Sequence, residues 1–429
     1  MANETLNDSA WEKLFIKYEI LKRIEIDGAF HISAGQIKKF REPRLMVKFD
    51  HTVNLPRIFA KNDLAILPIT RGDYVISRFN AYHKFEDTNS PVVSFSLPSR
   101  IQSLNSNNIT SESAALNCAL SAGIIADFME EDNVFPSVSG RMSSGAFSFN
   151  ITDSKSGLPR QVNVNNSQIE IDAGYEGISS LALFEAKIDL SDDFLIRQLY
   201  YPFRTWQDRI TKPVRPIFFV YSNGIYKLYE YAYEDFNSYN SLYLVKQKNY
   251  AIEDTKISWA DIQEILERVI IVHEPEIPFP QADKFERVIN LCELLNAHNL
   301  TRTDVTEQYA FTSRQTNYYT DAARYLGLLD KHTENGQIVY SLTDKGRKIL
   351  NMKFKQRQLA YCESILSHKA FNLSLRLYFQ KNEMPSTNEI LNIMMQSHLF
   401  NVESDETFRR RAKTIKGWIN WISAQIRDK

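Results

Sequence analysis

"SQIEIDAGYEGISSLALFEAK", residues 167–187, sets three charged side chains of interest into strand-like, apolar sequence. Two runs of high β-propensity, QIEIDA and LALFEAK, flank a glycine-containing turn, so a hairpin is expected. Side chains alternate faces along a strand, which puts Glu185 and Lys187 on one face and turns Ala186 into the packing. Asp172, thirteen positions before Glu185, ends the first run, and the turn around GYEGI is expected to bring it alongside. Two carboxylates converging from neighbouring strands make a hard oxygen site. Such a site suits Mg²⁺, which takes one or two carboxylates plus waters and a substrate phosphate. A lysine belongs there only if something negative and reactive does too, a hydroxide or a phosphate oxygen. The plainer alternative is a solvated sheet edge with one salt bridge, since short motifs recur by chance.

The neighbouring sequence narrows the choice. SLNSNNITSES is a polar loop whose Ser111 can cap a helix, and Leu116, Ala119, Leu120, Ile124 and Phe128 predict one helix running to Met129. Strands are expected at 146–151, 168–173, 181–187 and 215–221. A helix is expected over 191–209, with Ser191 as its cap, Asp192 and Asp193 at its positive end, and a kink or break at Pro202. Asn223-Gly224 signals a tight hairpin.

This order of elements, with Asp172 and Glu185-Ala186-Lys187 placed as they are, resembles the PD-(D/E)xK nucleases, with Ile171 standing where the motif has proline. The resemblance implies an α/β (α+β) nuclease core over 111–274. It also implies Asp172 and Glu185 as ligands of Mg²⁺, the Ala186 carbonyl as a third, and Lys187 orienting or acidifying the attacking water. Glu112 matches an extra acidic residue in many such nucleases, although a first-turn glutamate is also good helix design. Glu170 and Glu176 are each an accessory carboxylate or a solvated side chain. Gln198 matches a glutamine found on the helix after the motif in some members, or is a surface residue.

The C-terminal third carries a second pattern. From residue 301 onward 20 Lys/Arg oppose 13 Asp/Glu, whereas the first 300 residues carry 31 against 39. A basic third suits a polyanion partner. Phe285, Val288, Ile289, Cys292 and Leu295 form an apolar helical stripe. Two more helices follow, then a hairpin turning at Asn335-Gly336. Three helices and a hairpin, with YYTDAARYLGLL and YSLTDKG, resemble a winged-helix domain over 281–352. The third helix of such domains enters the major groove, so Ser313, Arg314, Gln315, Asn317 and Tyr318 are expected to face DNA. A structural or dimerising winged helix would show the same stripe. Residues 353–429 read as a second helix-turn-helix-like unit. There Arg409, Arg410, Lys413 and Lys416 are phosphate contacts or a solvated basic face.

Residues 1–110 read as a mixed α/β region, and HEPEIPFPQ as a linker. In the first region Arg44 and Arg71 are phosphate contacts or plain ion pairs. The three cysteines form no zinc or disulfide spacing, the polar start argues against a secretory signal, and no apolar run is long enough to cross a bilayer. A cytoplasmic protein with no membrane partner is expected. The functional expectation is a Mg²⁺-dependent, sequence-specific endonuclease of double-stranded DNA, of the type II restriction class. A homodimer would serve a palindromic target, with a companion DNA methyltransferase acting separately. The alternatives are a DNA-binding regulator with an inactive nuclease-like sheet, and a repair or modification-dependent nuclease.

Overall fold

The computed structural model describes residues 5–86, 90–253, 255–309 and 311–426. An N-terminal unit opens with helices α1 (Leu6–Tyr18) and α2 (Ile20–Asp27), separated at Glu19 because that residue takes the left-handed conformation. Three short helices follow, α3 (Ala34–Lys38), α4 (Pro43–Met46) and α5 (Arg57–Lys61). They pack with a small antiparallel sheet of β1 (Phe30–Ser33), β2 (Ala65–Pro68) and β3 (Asp73–Ser77), in the order β1-β3-β2. Trp11, Leu14, Phe15 and Phe59 centre its core.

The next strands, β4 (Tyr82–Lys84) and β5 (Val92–Ser94), do not belong to that unit. β5 forms the edge of the main sheet beside β14, so the sheet recruits residues from before the expected boundary at 110. The other members are β6 (Phe135–Ser143), β9 (Gln168–Glu176), β10 (Leu181–Lys187), β12 (Val214–Ser222), β13 (Ile225–Tyr233) and β14 (Leu242–Ala251). The order is β5-β14-β13-β12-β10-β9-β6, antiparallel except for β10–β12 and β14–β5. Asn223 and Gly224 both take positive φ, which gives the expected tight turn between β12 and β13.

Helices cover both faces of this sheet. α6 (Glu112–Ser121) and α7 (Ile124–Met129) set Leu116, Ala119, Ile125 and Phe128 against Ala182, Phe184 and Ala186 of β10. Ser111 caps α6 as expected, but Gly123, at φ 87°, splits the expected single helix in two. On the other face α8 (Arg197–Gln207) sets Leu199, Tyr200 and Phe203 against Leu181, Leu183 and Phe218. Burial on both faces explains why β10 begins as an unbroken apolar run. Each such side chain contributes roughly 1.5–3 kcal/mol.

Two expectations for this region are corrected. Residues 191–196 are not helical: β11 (Asp193–Leu195) pairs with β4, and Ser191 donates to the Asp193 carbonyl instead of capping a helix. α8 runs through Pro202 without a break, held by the ring packing of Tyr200, Tyr201 and Phe203. The expected strand at 146–151 forms, but the strand beside β9 is β6. The expected strand, β7 (Ala146–Thr152), pairs with β8 (Pro159–Asn165) in a separate ribbon. The ribbon buries Phe149, Ile151, Val162 and Val164 against the α8 side.

The C-terminal unit shares one core. Its elements are α9 (Trp259–Arg268), α10 (Phe285–Ala297), β15 (Leu300–Thr301), α11 (Arg302–Gln308), α12 (Ser313–Tyr325), β16 (Leu329–Glu334), β17 (Gln337–Leu342), α13 (Asp344–Leu350), α14 (Phe354–Leu366), α15 (Lys369–Lys381), α16 (Thr387–Met395) and α17 (Asp405–Gln425). β16 and β17 form the expected hairpin, turning at Asn335-Gly336, and β15 adds a third strand beside β17. Buried residues from Ile257 to Ile422 form one cluster, so 281–352 and 353–429 do not have separate cores and α9 packs with them. The proline-rich segment is docked and not a free linker: Phe279 stacks on Phe371, and Tyr325 Oη donates to Glu274.

Candidate functional site

Asp172 lies within β9, which continues to Glu176, so it does not end the strand. Its position depends on an irregularity. Val138 pairs with Gly174 but Gly140 pairs with Ile171, so β9 carries one extra residue there. Ile169 and Ile171 accordingly pack on the α8 side, while Ala173 and Tyr175 pack on the α6 side. A bulge of this kind re-aims side chains. The ladder between β9 and β10 stops at Ala173 and Phe184, and the next contact is made by a side chain. The Ala186 N–H donates to Asp172 Oδ2 at 2.7 Å.

Glu185 and Lys187 project from the end of β10. Lys187 Nζ donates to Glu185 Oε1 at 2.5 Å and to the Ala186 carbonyl at 3.3 Å. Gln198 Nε2, from the first turn of α8, donates to the same Glu185 oxygen at 2.6 Å. Glu112 Oε1, at the start of α6, lies 4.0 Å from Lys187 Nζ. The five residues Asp172, Glu185, Lys187, Gln198 and Glu112 line a single cavity of about 540 Å³.

The other wall comes from the N-terminal unit. Arg44, Lys48, Asp50 and Arg71 line the cavity, as do Arg141 and Arg197. Lys48 Nζ lies 3.6 Å from Asp50, and Arg141 pairs with Glu170 at the mouth. Among the described residues Arg44, Arg71 and Arg197 form no ion pair. The segment 48–54 is fixed to the chain just beyond Lys187. His51 Nδ1 meets the Asp193 carbonyl at 2.6 Å and His51 Nε2 faces Asp189 at 3.6 Å. The Thr52 N–H and hydroxyl both donate to the Asp193 carboxylate.

The floor is strongly coupled. Burial works against the Lys187 charge, but Glu185, Asp50, Glu112 and Asp172 outweigh it and hold its pKa well above normal. Burial pushes the Glu185 carboxyl up, with Asp172 and Asp50 adding to the rise and Lys187 opposing it. Glu112 is pushed up to about 7 by burial, Lys187 opposing and Asp172 and Asp189 adding. Four carboxylates around one ammonium leave an excess of negative charge, which a proton or a cation relieves. The donors are all hard oxygens, of the kind that hold a divalent cation through one or two carboxylates and waters. Among the described residues no three His, Cys, Asp or Glu side chains gather into a metal shell of their own.

Models of three families match the chain, each described as a domain of unknown function. They are DUF6996 over residues 8–76, DUF6997 over 77–251 and DUF7226 over 287–427. No curated protein and no solved structure matches. The first boundary falls at the end of β3, where the N-terminal unit gives way to the sheet. The cavity therefore draws its floor, with Arg141 and Arg197, from one matched region and Arg44, Lys48 and Arg71 from another.

The remaining expected residues are dispersed. Glu176 lies at the far end of the hairpin, pairs with Lys212 at 2.7 Å and does not join the site. Ser313 and Arg314 line a second cavity, of about 240 Å³, between α12 and the N-terminal unit. Gln315 is occupied in capping α12: its Oε1 accepts from the Thr312 N–H. Tyr318 Oη accepts from Arg314, and Asn317 is half-buried. On α17, Arg409 pairs with Asp405, Arg410 contacts Thr407, Lys413 is exposed, and Lys416 donates to Thr387 on α16.

Lys48, Asp50, His51, Asp189 and Arg197 stand in no motif that marks them as site residues. The alternation in MVKFD, which puts Lys48 and Asp50 on one side, was the one local signal for part of this set. Among the described residues no helix is long and apolar enough to cross a membrane.

Proposed function

We propose that the chain is a Mg²⁺-dependent endonuclease of double-stranded DNA, with its hydrolytic centre at Asp172, Glu185 and Lys187. The observation that carries this reading is the meeting of those three residues in a cavity that Arg44, Arg71 and Arg197 also line. Carboxylates and guanidinium groups lining one cavity suit a metal ion beside a phosphodiester. The three-layer order around the hairpin also supports the resemblance to PD-(D/E)xK nucleases.

Asp172, Glu185 and the Ala186 carbonyl would hold Mg²⁺. When bound, the ion acidifies a water and neutralises charge on the scissile phosphate. Lys187 orients that water and stabilises the negative charge that grows on the phosphate oxygens as the water oxygen bonds to phosphorus and the opposite P–O ester bond breaks. Gln198 fixes Glu185 in position, and the lining arginines hold the flanking phosphates.

The order α10, α11, α12 and the β16–β17 hairpin supports a winged-helix role in which α12 reads the duplex. A type II restriction activity would pair this enzyme with a separate methyltransferase, and a palindromic site would call for a homodimer.

Plasmid DNA incubated with the protein and Mg²⁺ should give discrete fragments. Cleavage should vanish with EDTA and in Lys187→Ala or Asp172→Ala, both retaining the wild-type circular dichroism. Salt-sensitive binding with no cutting under any divalent metal would favour the regulator and sink the nuclease. Cutting confined to methylated or damaged DNA would move the assignment to a modification-dependent or repair enzyme.

A further inference from the structure

The second cavity touches the first. Lys48 lines both, and beyond it the second cavity is walled by Asn54 and Arg57 on one side and Ser313 and Arg314 on the other. Among the described residues its one lining carboxylate, Asp8, is buried and engaged: it accepts from the Arg57 N–H at 2.7 Å and lies 3.7 Å from the Arg57 guanidinium. Lys48 and Arg57 keep 68% and 49% of their side chains exposed, so both reach solvent along the groove. The two walls are tied together where Asn54 Nδ2 donates to the Tyr309 carbonyl, just ahead of α12. The far wall is the first turn of a thirteen-residue helix, whose backbone dipole adds positive potential to that of Arg314.

A strand with one phosphodiester on the floor must leave the first cavity with its neighbouring phosphates still charged. We propose that it leaves past Lys48, so that residues 48–57 form a phosphate-tracking wall leading one DNA strand from Glu185 to Ser313 and Arg314 on α12. This rests on the nuclease reading above and adds to it a role for the N-terminal unit. That unit joins the cutting site to the reading helix along the backbone and fixes their separation. Phosphate contacts of this kind set register without reading bases.

The test is equilibrium binding of a fluorescent duplex of mixed sequence, without divalent metal, across a salt series. Lys48→Ala, Arg57→Ala and Arg314→Ala should each weaken binding and lower the salt slope by about one. Lys155→Ala, on the exposed β7–β8 turn, should leave both unchanged. Arg314→Glu, a charge reversal on an exposed first-turn residue, should weaken binding further at an unchanged melting temperature. This keeps the test valid if loss of the Asp8 partner unsettles Arg57→Ala. The track is overturned if the Lys48 and Arg314 variants bind as wild type does while Arg71→Ala binds more weakly, an outcome that leaves the nuclease reading standing. If the wild-type protein binds no duplex even at low salt and cuts none with Mg²⁺, the track and the nuclease reading both fall.

Discussion

Glu112 shows how far one side chain here is governed by its surroundings. As the first residue of α6 it gains from the helix dipole, yet it faces Asp172 and Asp189 in a pocket that excludes much of the solvent. A carboxyl raised from 4.5 to about 7 holds its proton more tightly in the folded chain than in the unfolded one. Its contribution to stability is therefore fully present below about 4.5 and is lost as pH rises through 7. In metal-free protein, Glu112→Gln should lose less melting temperature than wild type across that interval. Identical pH profiles for the two proteins would mean that Glu112 does not feel the cluster. Glu112, Asp172, Glu185, Lys187 and Gln198 were legible in the sequence because the motif on β9 and β10 is local and the helices before and after it, α6 and α8, carry the other two. The arrival of Asp50 and His51 beside them was not, because packing between units brings them in, and Arg197, next to Gln198 on α8, belongs to no motif that marks it. Glu176 takes the solvated one of its two readings for the converse reason: it lies close in sequence, but at the opposite end of the hairpin.

At the scale of the element, the bulge in β9 is the feature on which the site depends. Alternation alone gives Asp172 the same face as Glu170, whereas the extra residue lets Ile171 stay in the α8 core while Asp172 turns to the Ala186 N–H. Gly174 lies just beyond it. A Cβ at Gly174 would fall 2.8 Å from Val138 Cβ and 3.0 Å from the Val138 carbonyl oxygen, so β6 and β9 approach there as only glycine permits. Gly174→Ala should destabilise the fold by about 1–3 kcal/mol, measured by urea denaturation. Gly140→Ser, at a positive φ but in open space, separates backbone strain from this crowding. Wild-type stability in Gly174→Ala would show that the two strands part without cost. The hairpins at Asn223-Gly224 and Asn335-Gly336 were readable because turn chemistry is local. β6 was not: its sequence, FPSVSGRMS, is largely exposed and lacks the apolar alternation that marked β7, and only its pairing with β9 makes it a member of the sheet.

Across the whole molecule, the three matched regions meet on six residues, Ile188–Asp193, immediately after Lys187. From the N-terminal unit, His51 and Thr52 hold Asp189 and Asp193. From the C-terminal unit, Lys284 pairs with Asp192. Asn290 on α10 accepts from the Leu190 N–H at 3.0 Å and donates to the Ile188 carbonyl at 2.7 Å. α10 packs in turn against α12 through the shared core that holds Val288, Leu291, Tyr319 and Ala322. The helix proposed to read DNA is thus one helix away from the segment that fixes Lys187. Asn290 is 1% exposed, so Asn290→Ala removes the partner of the half-buried Leu190 N–H and Ile188 carbonyl, each loss costing up to roughly 1–3 kcal/mol. Stability should therefore fall. If the junction also positions Lys187, the single-turnover cleavage rate should fall at temperatures where the variant is still fully folded, while duplex affinity stays at the wild-type value. Asn290→Asp keeps the acceptor for Leu190 but gives up the donor to Ile188 and buries a charge, so it should not rescue the rate. A variant that melts earlier yet cleaves at the wild-type rate would reduce Asn290 to a docking residue and leave Lys187 positioned by β10 alone.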